Sequence, residues 1–153
     1  MIDIYIIVKG DILKASENII AHQVNAQGKF GAGIAAQIRK KYPIAYERYM
    51  QLSEHYSEDR KMLLGKTQIV KVEENKYIAN IFGQLTYGRT GIHTDYTALK
   101  MGLSELKLRA KKHNKSVAIP RFIGAGLGGG SSELILKIID EIFSDYGVTL
   151  YEL

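Results

Sequence analysis

The sequence predicts an α/β protein: a single three-layer α/β/α domain over residues 1–153, with a mixed central sheet. Apolar strand-like segments alternate with amphipathic helix-like segments along most of the chain, which is typical of parallel strands covered by helices on both faces. One pair of strand-like segments in the middle has no helix between its members, so it adds an antiparallel strand. Two glycine-rich turns each follow a strand and precede a helix, as ligand-binding turns of open α/β sheets do.

The first half of the chain supplies two strands and two helices. Aliphatic side chains occupy every second position at Ile2, Ile4, Ile6 and Val8, and residues 18–24 (NIIAHQV) are mostly apolar, so both segments are predicted strands. The turn at 28–33 (GKFGAG) separates the second strand from a helix at 34–42. Pro43 ends that helix, because proline cannot continue it, and can occupy the first position of the next helix at 44–56.

The second half repeats the alternation after a hairpin. Strands are predicted at 67–72, 77–82, 116–120 and 148–153, and the loop at 83–94 (GQLTYGRTGIHT) shows no periodicity. Asp95 is a suitable N-cap for a long helix whose apolar stripe comprises Leu99, Leu103, Leu106 and Ala110. A second glycine-rich turn at 124–130 precedes an apolar helix at 133–143.

Composition narrows the function classes. Hydrophobic residues make up 46% and charged residues 24% of the 153, which excludes disorder as the main state. The absence of cysteine excludes disulfides, a thiolate zinc site and a cysteine nucleophile. The net charge of +5 favours an anionic partner, either nucleic acid or a phosphorylated small molecule. An acidic residue near the start and a short apolar run predict neither a signal peptide nor a membrane span, so we expect a cytoplasmic protein with no membrane partner.

Glycine carries the strongest functional signal. Eight of the 15 glycines lie in the two short turns at 28–33 and 124–130. Glycine lets the backbone approach an anion closely, and the free N–H groups of a helix start point at it. Two such turns predict a pair of walls around a diphosphate, although each could also serve only the chain path.

Other nucleotide and catalytic motifs fail. The segment 124–129 (GAGLGG) fits G-x-G-x-x-G, but too little chain follows it for a dinucleotide site, and 65–67 (GKT) lacks the first glycine of a P-loop. The four histidines show no metal-ligand spacing, so no metal and no cofactor are expected. His22 lies in an apolar strand beside the first glycine turn, where it is either a core residue or a catalytic one.

An ordered set of segments resembles the macro domain family, whose members bind ADP-ribose. The segments are GDI at 10–12, VNAQG at 24–28, GAGIA at 31–35, YIAN at 77–80, QLTYGR at 84–89 and PRFIGAGLGGG at 120–130. Together they span nearly the whole chain. Within the family, the sequence looks most like small stand-alone ADP-ribose 1''-phosphate phosphatases.

The resemblance implies a set of ligand contacts. Asp11 and Ile12 should meet the adenine ring, with Tyr151 beside it, although Asp11 could instead cap a turn and Tyr151 could be a core residue. Asn25 should bind the distal ribose. The diphosphate and distal ribose should lie between two walls, which comprise Gly31, Ala32, Gly33 and Ile34 on one side and Gly124, Ala125, Gly126, Leu127 and Gly128 on the other.

One difference from the family narrows the mechanism. The branch that removes ADP-ribose from glutamate side chains has an aspartate after the G-x-G-L turn and a lysine before the long helix. Here those positions hold Gly128 and, by rough alignment, His93, which argues against that branch's mechanism.

The resemblance leaves several functions open. We expect hydrolysis of ADP-ribose 1''-phosphate, in which His22 acts as general acid or base or itself accepts the phosphate, and Asp95 orients His22 or a water, although Asp95 also suits an N-cap. The alternatives are removal of ADP-ribose from protein or nucleic acid, by a water held at Asn25, and non-catalytic binding of ADP-ribose. A nucleic-acid module is a weaker alternative. The expected partners are ADP-ribose, its 1''-phosphate or ADP-ribosylated macromolecules, and the chain is expected to be a monomer.

Overall fold

The computed structural model describes residues 5–153, so residues 2–4 of the first predicted strand lie outside the described residues. Within that range, six strands and four helices follow the predicted order. Their bounds are β1 (Tyr5–Lys9), β2 (Ile19–Asn25), α1 (Gly33–Lys41), α2 (Pro43–His55), β3 (Thr67–Glu73), β4 (Lys76–Gln84), α3 (Tyr96–Lys112), β5 (Val117–Pro120), α4 (Ser132–Ile142) and β6 (Val148–Glu152).

Local signals explain where the elements begin and end. The Asp95 and Ser131 side chains accept hydrogen bonds from backbone amides in the first turns of α3 and α4, and Pro43 is the first residue of α2. Two short 3-10 helices, Ile12–Lys14 and Arg60–Leu63, were not predicted. Each is too short to show a hydrophobic period.

The strands form one mixed sheet between two helical layers. Its order is β1-β6-β5-β2-β4-β3, and β3, an edge strand, is the one antiparallel strand among the residues described. One face packs against α1 and α2, with Ile38 and Tyr49 fully buried there. The opposite face packs against α3 and α4, with Leu103 and Ile139 fully buried. The predicted three-layer fold with a mixed sheet is therefore confirmed.

The sheet contains a topological switch point between β2 and β5. These strands are parallel neighbours, joined by the pairs Ile19–Val117 and Ile20–Ala118. The chain leaves β2 towards α1 on one face and leaves β5 towards α4 on the other. A crevice therefore opens at their carboxyl ends, flanked by the two glycine-rich turns.

No group of three or more His, Asp and Glu side chains within residues 5–153 could hold a metal ion. Over the same range, no helix has both the length and the apolar character needed to cross a membrane.

Candidate functional site

A cavity of about 820 Å³ opens at the carboxyl ends of β2 and β4. Its floor includes Asn25 and Gln84, the last residues of those strands. Gly31 and Ala32 line one side, and Leu127 reaches it from the second glycine-rich turn. The cavity therefore lies beside the switch point, on the β4 side of the sheet.

The Asn25 carboxamide holds the first glycine-rich turn in place. Its Oδ1 accepts hydrogen bonds from the backbone amides of Gln27 (2.9 Å) and Lys29 (3.3 Å), and its Nδ2 donates to the Lys29 carbonyl oxygen (2.7 Å). The second hydrogen on Nδ2 is left for a ligand hydroxyl.

Tyr49 of α2 supports Asn25 from below. Its hydroxyl donates to the Asn25 carbonyl oxygen at 2.7 Å and lies 3.1 Å from Oδ1. Burial raises the pKa of Tyr49 to about 12, so the hydroxyl keeps its proton at neutral pH. The buried helix α2 therefore fixes a side chain that faces the cavity.

The amino end of α1 is open to the cavity. Ala32 is its N-cap, and no side chain makes a capping hydrogen bond there, in contrast to Asp95 at α3 and Ser131 at α4. The first amides of α1 consequently lack the usual side-chain acceptor, and Gly31 and Ala32 line the cavity.

The second glycine-rich turn is anchored to the end of the 83–94 loop. The Gly128 carbonyl oxygen accepts from the amides of His93 (2.7 Å) and Thr94 (3.0 Å), and the Thr94 hydroxyl donates to the Gly124 carbonyl oxygen (2.6 Å). Gln23 adds a hydrogen bond from Nε2 to the Thr94 hydroxyl at 2.9 Å. A Cβ at Gly128 would lie 2.6 Å from that hydroxyl oxygen. There is accordingly no room at position 128 for the aspartate of the glutamate-directed branch.

The structure brings only part of the predicted ligand site to the cavity. Asn25, Gly31, Ala32 and Leu127 line it. Gly33 and Ile34 follow at the start of α1 without lining it. Gly124, Ala125, Gly126 and Gly128 share the turn with Leu127, also without lining the cavity.

The residues predicted to meet adenine lie outside this cavity. Asp11 accepts a hydrogen bond from the Leu13 amide at 3.0 Å and so caps the first 3-10 helix, while Ile12 is buried. The Tyr151 hydroxyl lies 2.6 Å from the Glu17 carboxylate. Tyr151 of β6 pairs with Val8 of β1, and Asp11 follows β1 in the chain. Both residues therefore lie on the β1 side of the sheet. Their contact with adenine stays a prediction.

His22 is enclosed beneath the cavity. Its side chain is fully buried, and its Nε2 lies 2.6 Å from Asn80 Oδ1. The Phe30 ring packs edge-on against the His22 ring, with 5.3 Å between the two ring centres. Phe30 lines the cavity, whereas His22 does not. A general acid or base must come within hydrogen-bond reach of the substrate, and from this position His22 would need Phe30 to move.

Asp95 is also outside the cavity lining. Its Oδ1 accepts a hydrogen bond from the Ala98 amide at 3.0 Å, which is the N-cap arrangement that the sequence offered as the alternative to catalysis. Neither His22 nor Asp95 therefore contacts a ligand placed in the cavity as it stands.

Several lining residues were not singled out from the sequence. Lys29, Phe30, Arg39, Tyr46 and Arg89 all face the cavity. Lys29 and Phe30 lie between glycines of the first turn, and Arg89 is the last residue of one of the family-like segments. The sequence could therefore have indicated that these three residues lie near the site. Arg39 and Tyr46 lie on two helices separated by Pro43, and the angle between those helices cannot be deduced from spacing.

Comparison with known proteins agrees with this architecture. A family model described as Macro domain matches residues 21–139, more than half of the chain. A Saccharomyces cerevisiae protein named ADP-ribose 1''-phosphate phosphatase is 32% identical over 130 residues, which is 80% of this chain and 71% of that protein. A protein of the same name from Meyerozyma guilliermondii is 30% identical over 95 residues, 54% of each chain, so the chain spans about half the length of that relative.

Solved structures show the same fold. A protein of unknown function from Bacteroides thetaiotaomicron superposes with a TM-score of 0.86 at 32% identity, covering 97% of this chain and 98% of that one.

Proposed function

The chain belongs to the macro domain family, and we propose that it binds ADP-ribose across the switch point and hydrolyses ADP-ribose 1''-phosphate. The observation that carries the proposal is the cavity itself, which is lined by Gly31 and Ala32 at the uncapped start of α1 and by Leu127 of the second glycine-rich turn. The relatives named as phosphatases of this substrate support the choice of reaction.

The electrostatics of the cavity suit a diphosphate. Backbone amides at a helix start carry partial positive charge and point along the helix axis towards an anion. Here those amides belong to residues after Ala32, and no side-chain carboxylate competes for them. The lining described within residues 5–153 includes no Asp or Glu.

Hydrolysis of the 1''-phosphate is a phosphoryl transfer to water. The water oxygen bonds to phosphorus, the bond from phosphorus to the anomeric oxygen breaks, and that oxygen takes a proton as ADP-ribose leaves. Such reactions depend mainly on positioning and on charge stabilisation, which backbone amides and cationic side chains supply. Acid–base roles for His22 and a water-orienting role for Asp95 remain predictions.

A second candidate is removal of ADP-ribose from a macromolecule. Tyr87 and Leu127 line the cavity with 52% and 53% of their surface exposed, so an attached protein or nucleic acid would meet apolar surface at the rim. A water held by the second hydrogen of Asn25 Nδ2 would then bond to the anomeric carbon, the bond from that carbon to the macromolecule would break, and the departing group would take the proton that the water loses.

The proposal is tested by pairing a binding assay with phosphate release. We expect ADP-ribose to raise the melting temperature, because a ligand that binds only the folded state stabilises it, and ADP-ribose 1''-phosphate to release phosphate. Ala32→Glu places a carboxylate in the cavity and should abolish both effects. Gln37→Glu adds the same charge on an exposed part of α1 and should preserve them.

Three outcomes separate the candidate functions. The second candidate is supported if ADP-ribose binds, ADP-ribose 1''-phosphate yields no phosphate, and modified protein or DNA yields free ADP-ribose. Binding without turnover of any of these substrates identifies a non-catalytic reader. If ADP-ribose fails to bind, or binds Ala32→Glu as well as wild type, the cavity is not the site.

A further inference from the structure

Three cationic side chains in the cavity have no role in the site described so far. Lys29, Arg39 and Arg89 all line it. Within the part of the chain that the structure describes, none of these three side chains makes an ion pair or a hydrogen bond with another residue. Their positive charge is therefore available to a ligand, and the described lining offers no carboxylate to neutralise it.

Arg39 is held on an aromatic platform. Its guanidinium carbon lies 3.8 Å from the centre of the Tyr46 ring. The Tyr46 ring packs in turn against the Phe30 ring, with 5.6 Å between the ring centres. Phe30 is buried and also contacts Tyr49 at 4.8 Å, so the platform is continuous with the core. A guanidinium stacked in this way keeps its N–H groups free at the edge and loses less conformational freedom on binding a phosphate.

The strand order places Arg89 at one end of the proposed ligand path, and Lys29 and Arg39 line the same cavity. Asp11 and Tyr151 lie at the ends of β1 and β6, the glycine-rich turns follow β5 and β2, and Arg89 follows β4. A ligand with its diphosphate at the turns and its adenine at the β1 side therefore extends its distal ribose towards β4. All three cations line the cavity that also contains Asn25, the residue expected at the distal ribose, so they are placed to meet a group attached to that ribose.

We propose that Arg39 on its Tyr46 platform, together with Lys29 and Arg89, forms a subsite for a phosphate monoester carried by the distal ribose. The inference rests on the proposed function and names what distinguishes the phosphorylated substrate from its product. Backbone amides at the glycine-rich turns bind the diphosphate in both compounds, whereas the subsite binds only the additional phosphate. The chain thus binds ADP-ribose 1''-phosphate more tightly than ADP-ribose. Once the phosphate ester is hydrolysed, the ADP-ribose product no longer has a group in the subsite and is released.

The subsite is tested by calorimetry with two probes, ADP-ribose and its non-hydrolysable 1''-methylenephosphonate analogue. We expect wild type to bind the analogue at least about tenfold more tightly, since a hydrogen bond to a charged group contributes that much. Arg39→Gln should remove most of this preference while changing ADP-ribose affinity by less than about twofold. Arg48→Gln is the matched control, because Arg48 is an exposed α2 arginine bonded to Gln51 and does not line the cavity.

The platform has its own pair of variants. Tyr46→Phe keeps the ring under the guanidinium and should keep the preference, whereas Tyr46→Leu removes the ring and should weaken analogue binding several-fold. Equal wild-type affinity for the two probes, or an equal loss for both in Arg39→Gln, overturns the subsite and leaves ADP-ribose binding intact. Failure of ADP-ribose itself to bind overturns the proposed function instead.

Discussion

At the scale of single residues, His22 shows how a reactive side chain can serve the structure. Its ring joins β2 to Asn80 on β4, and Asn80 Nδ2 donates to Gln68 Oε1 on β3 at 3.0 Å. Burial lowers the pKa of His22 from 6.5 to about 4, against the opposing effect of the Asn80 hydrogen bond. The ring is therefore neutral at pH 7, and its Nε2–H group donates a hydrogen bond to Asn80 Oδ1.

This shift predicts a pH-dependent stability. Between pH 6.5 and 4 the unfolded state binds the His22 proton and the folded state does not, so the free energy of unfolding falls as the pH is lowered through that window. At pH 5 the loss attributable to His22 is about 2 kcal/mol. Urea denaturation at pH 7 and pH 5 measures it. His22→Gln, which cannot titrate, should lack this part of the loss.

The control is His113→Gln, at the exposed carboxyl end of α3, which should keep the wild-type pH dependence. If His22→Gln loses as much stability as wild type between the two pH values, His22 is not the group responsible. The phosphate-release rate of His22→Gln at pH 7 also tests the predicted acid–base role. If His22 has that role, this variant should release phosphate much more slowly than wild type.

The ambiguity of His22 in the sequence has a physical cause. Ile20, His22 and Val24 share one face of β2, and alternation identifies that face correctly. Both faces of this strand are covered, so alternation cannot tell a side chain under a cavity from one inside it. Phe30, which closes the space above His22, comes from a turn whose path no periodicity specifies.

At the scale of elements, the glycines of the second turn differ in what surrounds them. Gly129 has φ of 72°, and a Cβ there would overlap the Gly91 carbonyl oxygen, so this glycine is required for the turn to lie against residues 91–94. A Cβ at Gly126 would meet nothing within 4 Å. Sequence composition predicted both glycine-rich turns but could not distinguish Gly129 from Gly126, because a packing role depends on which loop lies opposite the turn.

This difference predicts opposite effects for two alanine variants. Gly129→Ala should lower stability by about 1–3 kcal/mol or more, because it combines a steric overlap with a strained backbone. Gly126→Ala should leave the melting temperature within about 1 °C of wild type, and should weaken ADP-ribose binding if the ligand approaches the protein backbone at that position. Thermal unfolding measures the first effect and calorimetry the second. Equal melting temperatures for the two variants would contradict the packing role of Gly129.

At the scale of the whole molecule, the site depends on a strand order that the sequence does not state. Element types and their order along the chain were predictable from periodicity, and helices on both faces followed from it. The placement of β6 between β1 and β5 was not, because any parallel order satisfies the same pattern. That placement sets β1 and Asp11 at one end of the row of parallel strands and β4 at the other, which gives the proposed ligand path its direction.

The strand order predicts that the last strand is needed for the whole sheet. β6 pairs with β1 on one side and β5 on the other, and its Val148 and Leu150 are buried in the core. Removing residues 147–153 leaves β1 without its partner and exposes one edge of β5. Losing two buried aliphatic side chains and both ladders costs at least about 5 kcal/mol, which is comparable to the total stability of a domain. We therefore expect the shortened chain to lose cooperative urea unfolding, followed by circular dichroism, and ADP-ribose binding together. Removal of Leu153 alone, which is 97% exposed, should change neither. A shortened chain that still unfolds cooperatively near the wild-type midpoint would show that β1 is held by something other than β6.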